Sequence, residues 1–224
     1  EIRHFQEKYG KTPVAFLADL GVLSERLIAA HCIHVTPDDI TLLKQNDVAV
    51  AHCIGANTKS AKGVAPVKAM LEAGIRVGLG TDGPSSGNTL DLFVQMRMFA
   101  NFHKTHLQDR AAFPARDIVR LATLGGAEVL GLADKIGSLE TGKKADIVLV
   151  ETDSANMFPI FDPYAVLVYS AHAGNVSDVF INGVPIVSGK QLLTQDLAAL
   201  KTTLASEMKD FIKQAEQNEK KTIL

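Results

Sequence analysis

The sequence predicts an α/β chain in which parallel βα units come first, an antiparallel β subdomain follows, and a helix closes the chain. Three observations carry this prediction. Short apolar runs beginning at residues 27, 48 and 75 alternate with helical stretches, the arrangement of parallel strands joined by crossover helices. Asn182-Gly183 sits between two further apolar runs and is the strongest short hairpin signal in the chain. Leu197, Leu200, Leu204, Met208 and Phe211 then repeat at helical spacing. The expected division is 1–135 for the parallel units, 136–190 for the β subdomain and 191–224 for the helix and tail.

With 224 residues, 46% hydrophobic and 21% charged, the chain can bury a sizeable core. A net charge of -2 gives no reason to expect nucleic acid or an anionic membrane as a partner. No apolar run approaches the roughly 18 residues of a membrane span, and the first residues lack the apolar core of a signal peptide. Cys32 and Cys53 end apolar runs instead of forming a spaced framework, which suits free thiols in a reducing cytoplasm.

Taken in order, Glu1 opens directly into helical spacing with Ile2 and Phe5, and Tyr9-Gly10 stops it. Thr12-Pro13 starts a second short helix, in which Val14, Leu17 and Leu20 share a face before Gly21. Leu27–Cys32 reads as a strand buried on both faces. Thr36-Pro37-Asp38-Asp39 caps a helix carrying Ile40, Leu42 and Leu43, and Asn46-Asp47 turns into a second strand, Val48–Cys53. A loop is expected over Ile54–Val64, then a helix from Pro66 to a stop at Gly74, then the strand Ile75–Thr81.

The parallel strands end in His31, His52 and Asp82. Side chains at the carboxyl ends of neighbouring parallel strands converge on one crevice, so two imidazoles and a carboxylate are expected within reach of one metal or one substrate. That donor mix suits zinc or iron. The alternatives stay open at this point. Asp82 reads equally well as a cap for the following helix, because Asp-Gly-Pro-Ser-Ser-Gly is good turn chemistry, and His52 alone reads more readily as a histidine bonded to a neighbouring loop. His34 falls in the outgoing loop.

Beyond Asp82, Leu90–Phe102 reads as a helix, with Met96 and Met98 as core filler, followed by a polar loop over Lys104–Arg110. Pro114 opens a helix expected to run through Leu124 and stop at Gly125-Gly126, with a further short turn at Ala127–Leu130. Strands are expected at Ala145–Val150, Ala165–Tyr169, Val176–Ile181 and Val184–Val187, and the last helix near Leu197–Gln217, with Glu216–Lys221 as a solvated charged end.

Three strings together resemble one family: Ala-Ala-His31-Cys-Ile-His34; Gly80-Thr81-Asp82-Gly with Ser86 and Asn88 behind it; and Ile136-Gly-Ser-Leu-Glu-Thr-Gly-Lys-Lys-Ala-Asp146-Ile. The chain is similar to the amidohydrolase superfamily, in its branch of 5-methylthioadenosine/S-adenosylhomocysteine deaminases and related triazine chlorohydrolases. The resemblance implies the C-terminal part of a distorted TIM (β/α)8 barrel, with Leu27–Cys32, Val48–Cys53 and Ile75–Thr81 as strands six to eight. Part of a small β-sandwich and the C-terminal helix follow. It implies one divalent metal ion, zinc first with iron or manganese as alternatives. Asp82 would be a metal ligand and proton acceptor, and His31 a catalytic group at the attacking water. Asn57, Ser86 and Asn88 would lie on the substrate side of the pocket. The implied reaction is hydrolytic deamination of a purine nucleoside-type small molecule with release of ammonia. Chloride displacement from a triazine, guanine or cytosine deamination, and a non-catalytic, partner-dependent module remain as alternatives, with room for a homo-oligomer.

The same resemblance implies donors that this sequence lacks. The family's His-x-His does not occur, and its His-x-x-Glu has one literal match, His4-Phe-Gln-Glu7, which no strand precedes. That match reads as coincidence, with His4 on a solvated helix face. Barrel strands one to five are expected to be missing from the chain, leaving an apolar face and unpaired strand edges. Ile54 and Ala56 also depart from the proline and serine the family places after its strand-seven histidine.

Overall fold

The computed structural model describes residues 2–222. The reading of Glu1 as a helix start lies outside them, as do the side chains of 218–221 in the expected charged end. The fold comprises two compact units: one takes in the chain up to Ala145 together with Glu151–Asn175, the other Asp146–Val150 together with the chain from Val176 on.

In the first unit, α1 (Ile2–Tyr9) and α2 (Pro13–Asp19) meet through Phe5, Tyr9 and Phe16. Thr12 caps α2 by accepting from Ala15 N at 3.1 Å. Next come β1 (Ile28–Ala30), α3 (Pro37–Gln45), β2 (Ala49–His52), α4 (Ile54–Lys59), α5 (Val67–Glu72) and β3 (Val77–Leu79). The strands form a parallel sheet in the order β1-β2-β3, with Ala30 opposite Ala51 and His52 opposite Leu79.

β2 and β3 are buried as a two-sided strand should be, but β1 is not: Ile28 is 40% exposed. β1 and β3 each pair, among the described residues, with β2 alone, but a later helix, Leu124–Val129, packs against β3. The expected loop after β2 is largely helical, because Ile54, Ala56 and Asn57 of α4 all turn inward.

After β3 come α6 (Pro84–Gly87), α7 (Leu92–Leu107), α8 (Ala115–Ala122) and α9 (Leu124–Val129). Asp91 caps α7 by accepting from Phe93 N at 2.8 Å. α7 continues past Phe102 and takes in the start of the expected polar loop, since His103 still lies on its buried stripe.

The expected stop at Gly125-Gly126 is not a stop. The break falls at Thr123 (φ -115°, ψ -91°), and both glycines lie inside α9. They are there for proximity: a Cβ on Gly125 would meet Val77 O at 2.8 Å, and one on Gly78 would meet Gly126 Cα at 2.8 Å. α9 therefore presses backbone to backbone on β3, beside a core that includes Val50, Ile54, Met70, Val77, Phe99 and Ile118.

The expected strand at Ala165–Tyr169 is instead part of α10 (Pro163–Tyr169). Asp162 caps it, accepting from Tyr164 N at 2.9 Å, and Pro163 takes the first helical position. Burial of Val168 outweighs the strand preference of the valines.

The second unit is an antiparallel sheet in the order β4 (Ile147–Val150), β5 (Val176–Ile181), β6 (Val184–Ser188) and β7 (Gln191–Leu192), the last an element the sequence did not signal. Asn182 (φ 51°) and Gly183 (φ 79°) make the expected hairpin turn between β5 and β6. α11 (Leu197–Thr222) carries an exposed apolar stripe. Among the described residues no helix is long and apolar enough to cross a membrane.

The approach of α9 to β3 leads to a clear expectation. Gly78→Ala sets a methyl group against backbone that cannot swing aside, so it should destabilise the protein by about 1–3 kcal/mol or more. A urea midpoint for Gly78→Ala equal to that of the parent would contradict this packing.

Candidate active site

His31 and Asp82 both lie just past the ends of hydrogen-bonded ladders. His31 N donates to Ala51 O at 3.0 Å, extending the β1–β2 ladder by one residue, and Gly80 N donates to His52 O at 3.0 Å, two residues before Asp82. His31 (φ 69°), Cys32 (φ 46°) and Asp82 (φ 59°) are left-handed. For residues with a Cβ this costs roughly 1–2 kcal/mol each, and such conformations persist where the surroundings hold them. Asp82 is held partly by its own carboxylate, whose Oδ1 accepts from Gly83 N at 2.7 Å. Asp82 is not the cap of the next helix: Gly83 holds that position, without a side-chain bond.

The structure brings His31 and Asp82 together, with Nε2 of the first 3.7 Å from Oδ2 of the second. Their side chains are 42% and 30% exposed, so the pair adds little to stability and its interest is chemical. Asn57 sets the imidazole's orientation: its Oδ1 lies 2.8 Å from His31 Nδ1. With the amide so oriented, which leaves Asn57 Nδ2 buried without a partner among the described residues, His31 donates through Nδ1–H and turns an unprotonated Nε2 toward Asp82. Asn57, expected on the substrate side, is 1% exposed and spends its oxygen on His31.

His52 does not join this pair. Side chains alternate along a strand, and His52 shares the face of Val50, which points into the core. It is fully buried, with Nε2 3.1 Å from His103 Nε2 on α7 and the Phe99 ring edge-on at 5.5 Å. Burial, then the charges of His103 and His31, pushes His52 down to about 3. Burial, then His106, pushes His103 down to about 4. Both imidazoles are neutral at pH 7.

Of the remaining expected residues, Asn88 ends α6 in a left-handed conformation and its Oδ1 accepts from Lys59 Nζ, while Ser86 is half-buried on α6. His34 is exposed and so is His4. Burial and then the Asp39 carboxylate push the Cys32 thiol up to about 11, and burial followed by Asp82 raises Cys53. Neither thiol is ionised at neutral pH, which disfavours both as nucleophiles or metal ligands. His31 also forms part of the wall of a groove of about 790 Å³ lined by Val14, Leu17, Ala29 and Ile33.

Among the described residues no three His, Cys, Asp or Glu side chains gather to hold a metal ion. The His31–Asp82 pair falls short of the three protein ligands of a catalytic zinc, so the described residues alone do not make such a site. Sequence reasoning also passed over Gln95 and His103. The signal was there: two polar residues stand four residues to either side of Phe99 on an apolar helix stripe.

Residues 1–186 match the amidohydrolase family. The chain belongs to that family. It is 41% identical over 208 residues to the 5-methylthioadenosine/S-adenosylhomocysteine deaminase of Moorella thermoacetica, covering 93% of this chain and 49% of that protein. A protein of the same description from Desulforudis audaxviator is 41% identical over 196 residues, 88% of this chain and 46% of the other. Among solved amidohydrolase relatives, an adenosine deaminase from Xanthomonas campestris with bound zinc superimposes with a TM-score of 0.90 at 37% identity, covering 96% of this chain and 48% of that one. An atrazine chlorohydrolase from Arthrobacter aurescens, complexed with zinc and atraton, gives 0.85 at 30% identity over 92% of this chain and 46% of the other. The chain thus spans about half the length of the relatives it matches. The amidohydrolase fold is α/β, and the bound zinc of these relatives points to a divalent metal in the family.

The buried histidine pair generates a pH dependence. Unfolded imidazoles take up protons below their ordinary 6.5, whereas the native pair stays neutral well below that. Its contribution is therefore complete above about pH 6.5 and is lost as pH falls toward 4, at a slope approaching about 1.4 kcal/mol per pH unit for each imidazole. Urea midpoints between pH 7.5 and 5 should show this fall, and His103→Gln should flatten it. An unchanged midpoint across that range would contradict a neutral buried pair.

Proposed function

We propose that this chain carries proton-handling residues of a hydrolytic deaminase acting on an adenosine-type small molecule of the 5-methylthioadenosine/S-adenosylhomocysteine class. The observation that carries the reading is the Asn57–His31–Asp82 arrangement, in which one imidazole nitrogen is tied to a buried amide and the other faces a carboxylate at 3.7 Å. Two atoms so spaced can both lie within hydrogen-bonding reach of a single oxygen. Asp82 takes a proton from the attacking water as its oxygen bonds to the amino-bearing ring carbon, and the ring C=N electron pair moves onto the adjacent ring nitrogen until the amino group departs. His31 Nε2 accepts the second O–H of that water and so orients it. The proton held by Asp82 then passes to the departing nitrogen, the C–N bond breaks, and ammonia leaves.

In this reading β1, β2 and β3 are strands six, seven and eight of the family's barrel, and β4–β7 form part of its small β-sandwich. The superposition on the Xanthomonas campestris deaminase supports that placement. Ser86 and Asn88, following Asp82 on α6 and its cap, face the substrate, whereas Asn57 acts through His31. A divalent metal such as the zinc of these relatives would supply Lewis-acid activation of water, with Asp82 as one of its ligands. A second reading, hydrolytic displacement of chloride from a triazine, is favoured by the likeness to the atrazine chlorohydrolase. We rank it second because the identity to proteins described as deaminases is higher.

Ammonia release by the intact protein from 5-methylthioadenosine, S-adenosylhomocysteine and adenosine, run beside chloride release from a chlorotriazine, separates the two. Asp82→Asn and His31→Ala should each lower kcat by about 10²-fold or more with an unchanged circular dichroism spectrum. His34→Ala should change it little. Near-normal turnover in Asp82→Asn would sink the proposal.

A further inference from the structure

Gln95, Phe99 and His103 lie four residues apart along one stripe of α7, and none is more than 1% exposed. Burying two polar side chains on such a stripe is costly unless each finds a specific partner. Each finds one on the same short stretch, where β2 passes into α4, although Gln95 Nε2 is left without a partner among the described residues. His103 meets His52, the last residue of β2, and Gln95 Oε1 accepts from Gly55 N at 3.0 Å.

Gly55 N–H belongs to the first turn of α4, where backbone donors have no partner within the helix. Cys53 at the N-cap offers no side-chain bond, so Gln95 supplies from α7 the cap that α4 lacks locally. The glycine makes this approach feasible, since a Cβ there would meet the Gln95 amide at 2.8 Å. Two residues on, Asn57 is tied into the same turn by Asn57 N donating to Cys53 O at 3.0 Å, and its side chain holds His31 Nδ1.

We propose that Gln95 is a positioning residue for His31, acting through Gly55, the first turn of α4 and Asn57. The inference rests on the reading of His31 as a proton-handling group. Gln95 touches neither His31 nor Asp82. It fixes the turn from which the Asn57 amide reaches Nδ1, and so fixes which imidazole nitrogen faces the carboxylate. Misplacing a reacting group by about 1 Å from a remote site can cost about 10²-fold in rate.

The test uses the intact protein labelled with ¹⁵N-histidine, whose imidazole resonances report the tautomer of His31 at pH 8 independently of turnover. The parent and Gln95→Glu, which keeps an oxygen acceptor for Gly55 N–H, should show the proton of His31 on Nδ1. Gln95→Met, of similar size without the acceptor, should shift population to the Nε2–H tautomer, as should Asn57→Ala. It should also lower kcat about 10-fold to 10²-fold with little change in KM. Gly55→Ala displaces the Gln95 amide while removing a helix-weakening glycine, and should reproduce the tautomer shift. It serves as the readout if Gln95→Met does not fold. An unchanged His31 tautomer in Gln95→Met, or in Gly55→Ala where that is the readout, overturns the proposal, as does an Nδ1–H signal that survives Asn57→Ala. Full activity in His31→Ala would overturn the functional reading and leave the tautomer result standing.

Discussion

The backbone of β2 is the constraint on which the candidate site depends. Its two edges are satisfied by different neighbours, and the last hydrogen bond on each edge places one residue of the candidate site: Ala51 O fixes His31, and His52 O fixes Gly80 two residues before Asp82. β1 and β3 flank β2 two strand spacings apart, so the side chains of His31 and Asp82 reach toward each other across the end of β2. The left-handed turns at both residues then aim those side chains at one another.

Much of this was legible in the sequence because strand and turn chemistry are local. The apolar runs ending in His31, His52 and Asp82 marked the three strands, and Asn182-Gly183 marked the hairpin. What was not legible depends on contacts between distant residues. The stretch after Cys53 has a helical start with no capping side chain, and only Gln95, forty residues away, shows why it can be a helix. Gly125-Gly126 looks like a break unless Val77 and Gly78 are known to lie against it. Ala165–Tyr169 has strand composition, and its helical state follows from the Asp162 cap and the burial of Val168.

The candidate site shows the same division. That His31 and Asp82 are neighbours follows from strand order, which alternation alone suggests. That His52 does not join them was not legible: the register carries His31 opposite His52, but the left-handed turn at His31 takes it out of the strand while His52 is buried against His103. Two histidines from adjacent strands therefore live in different media. His31 keeps one nitrogen at the surface of a groove, and His52 sits neutral in an aromatic pocket with His103. The second environment keeps His52 neutral at neutral pH.

The contact between Gly78 and α9 has a consequence for how the sequence can vary. Because the missing Cβ of residue 78 would occupy the place of Gly126 backbone, no change of side chain at 126 makes room for a larger residue at 78. Gly125 faces the same limit against the Val77 carbonyl. A larger residue at either position is accommodated only if α9 itself shifts along the sheet. In relatives that keep this strand and helix at the same separation, residues 78 and 125 should stay glycine, and drift at one should be accompanied by a relocated helix.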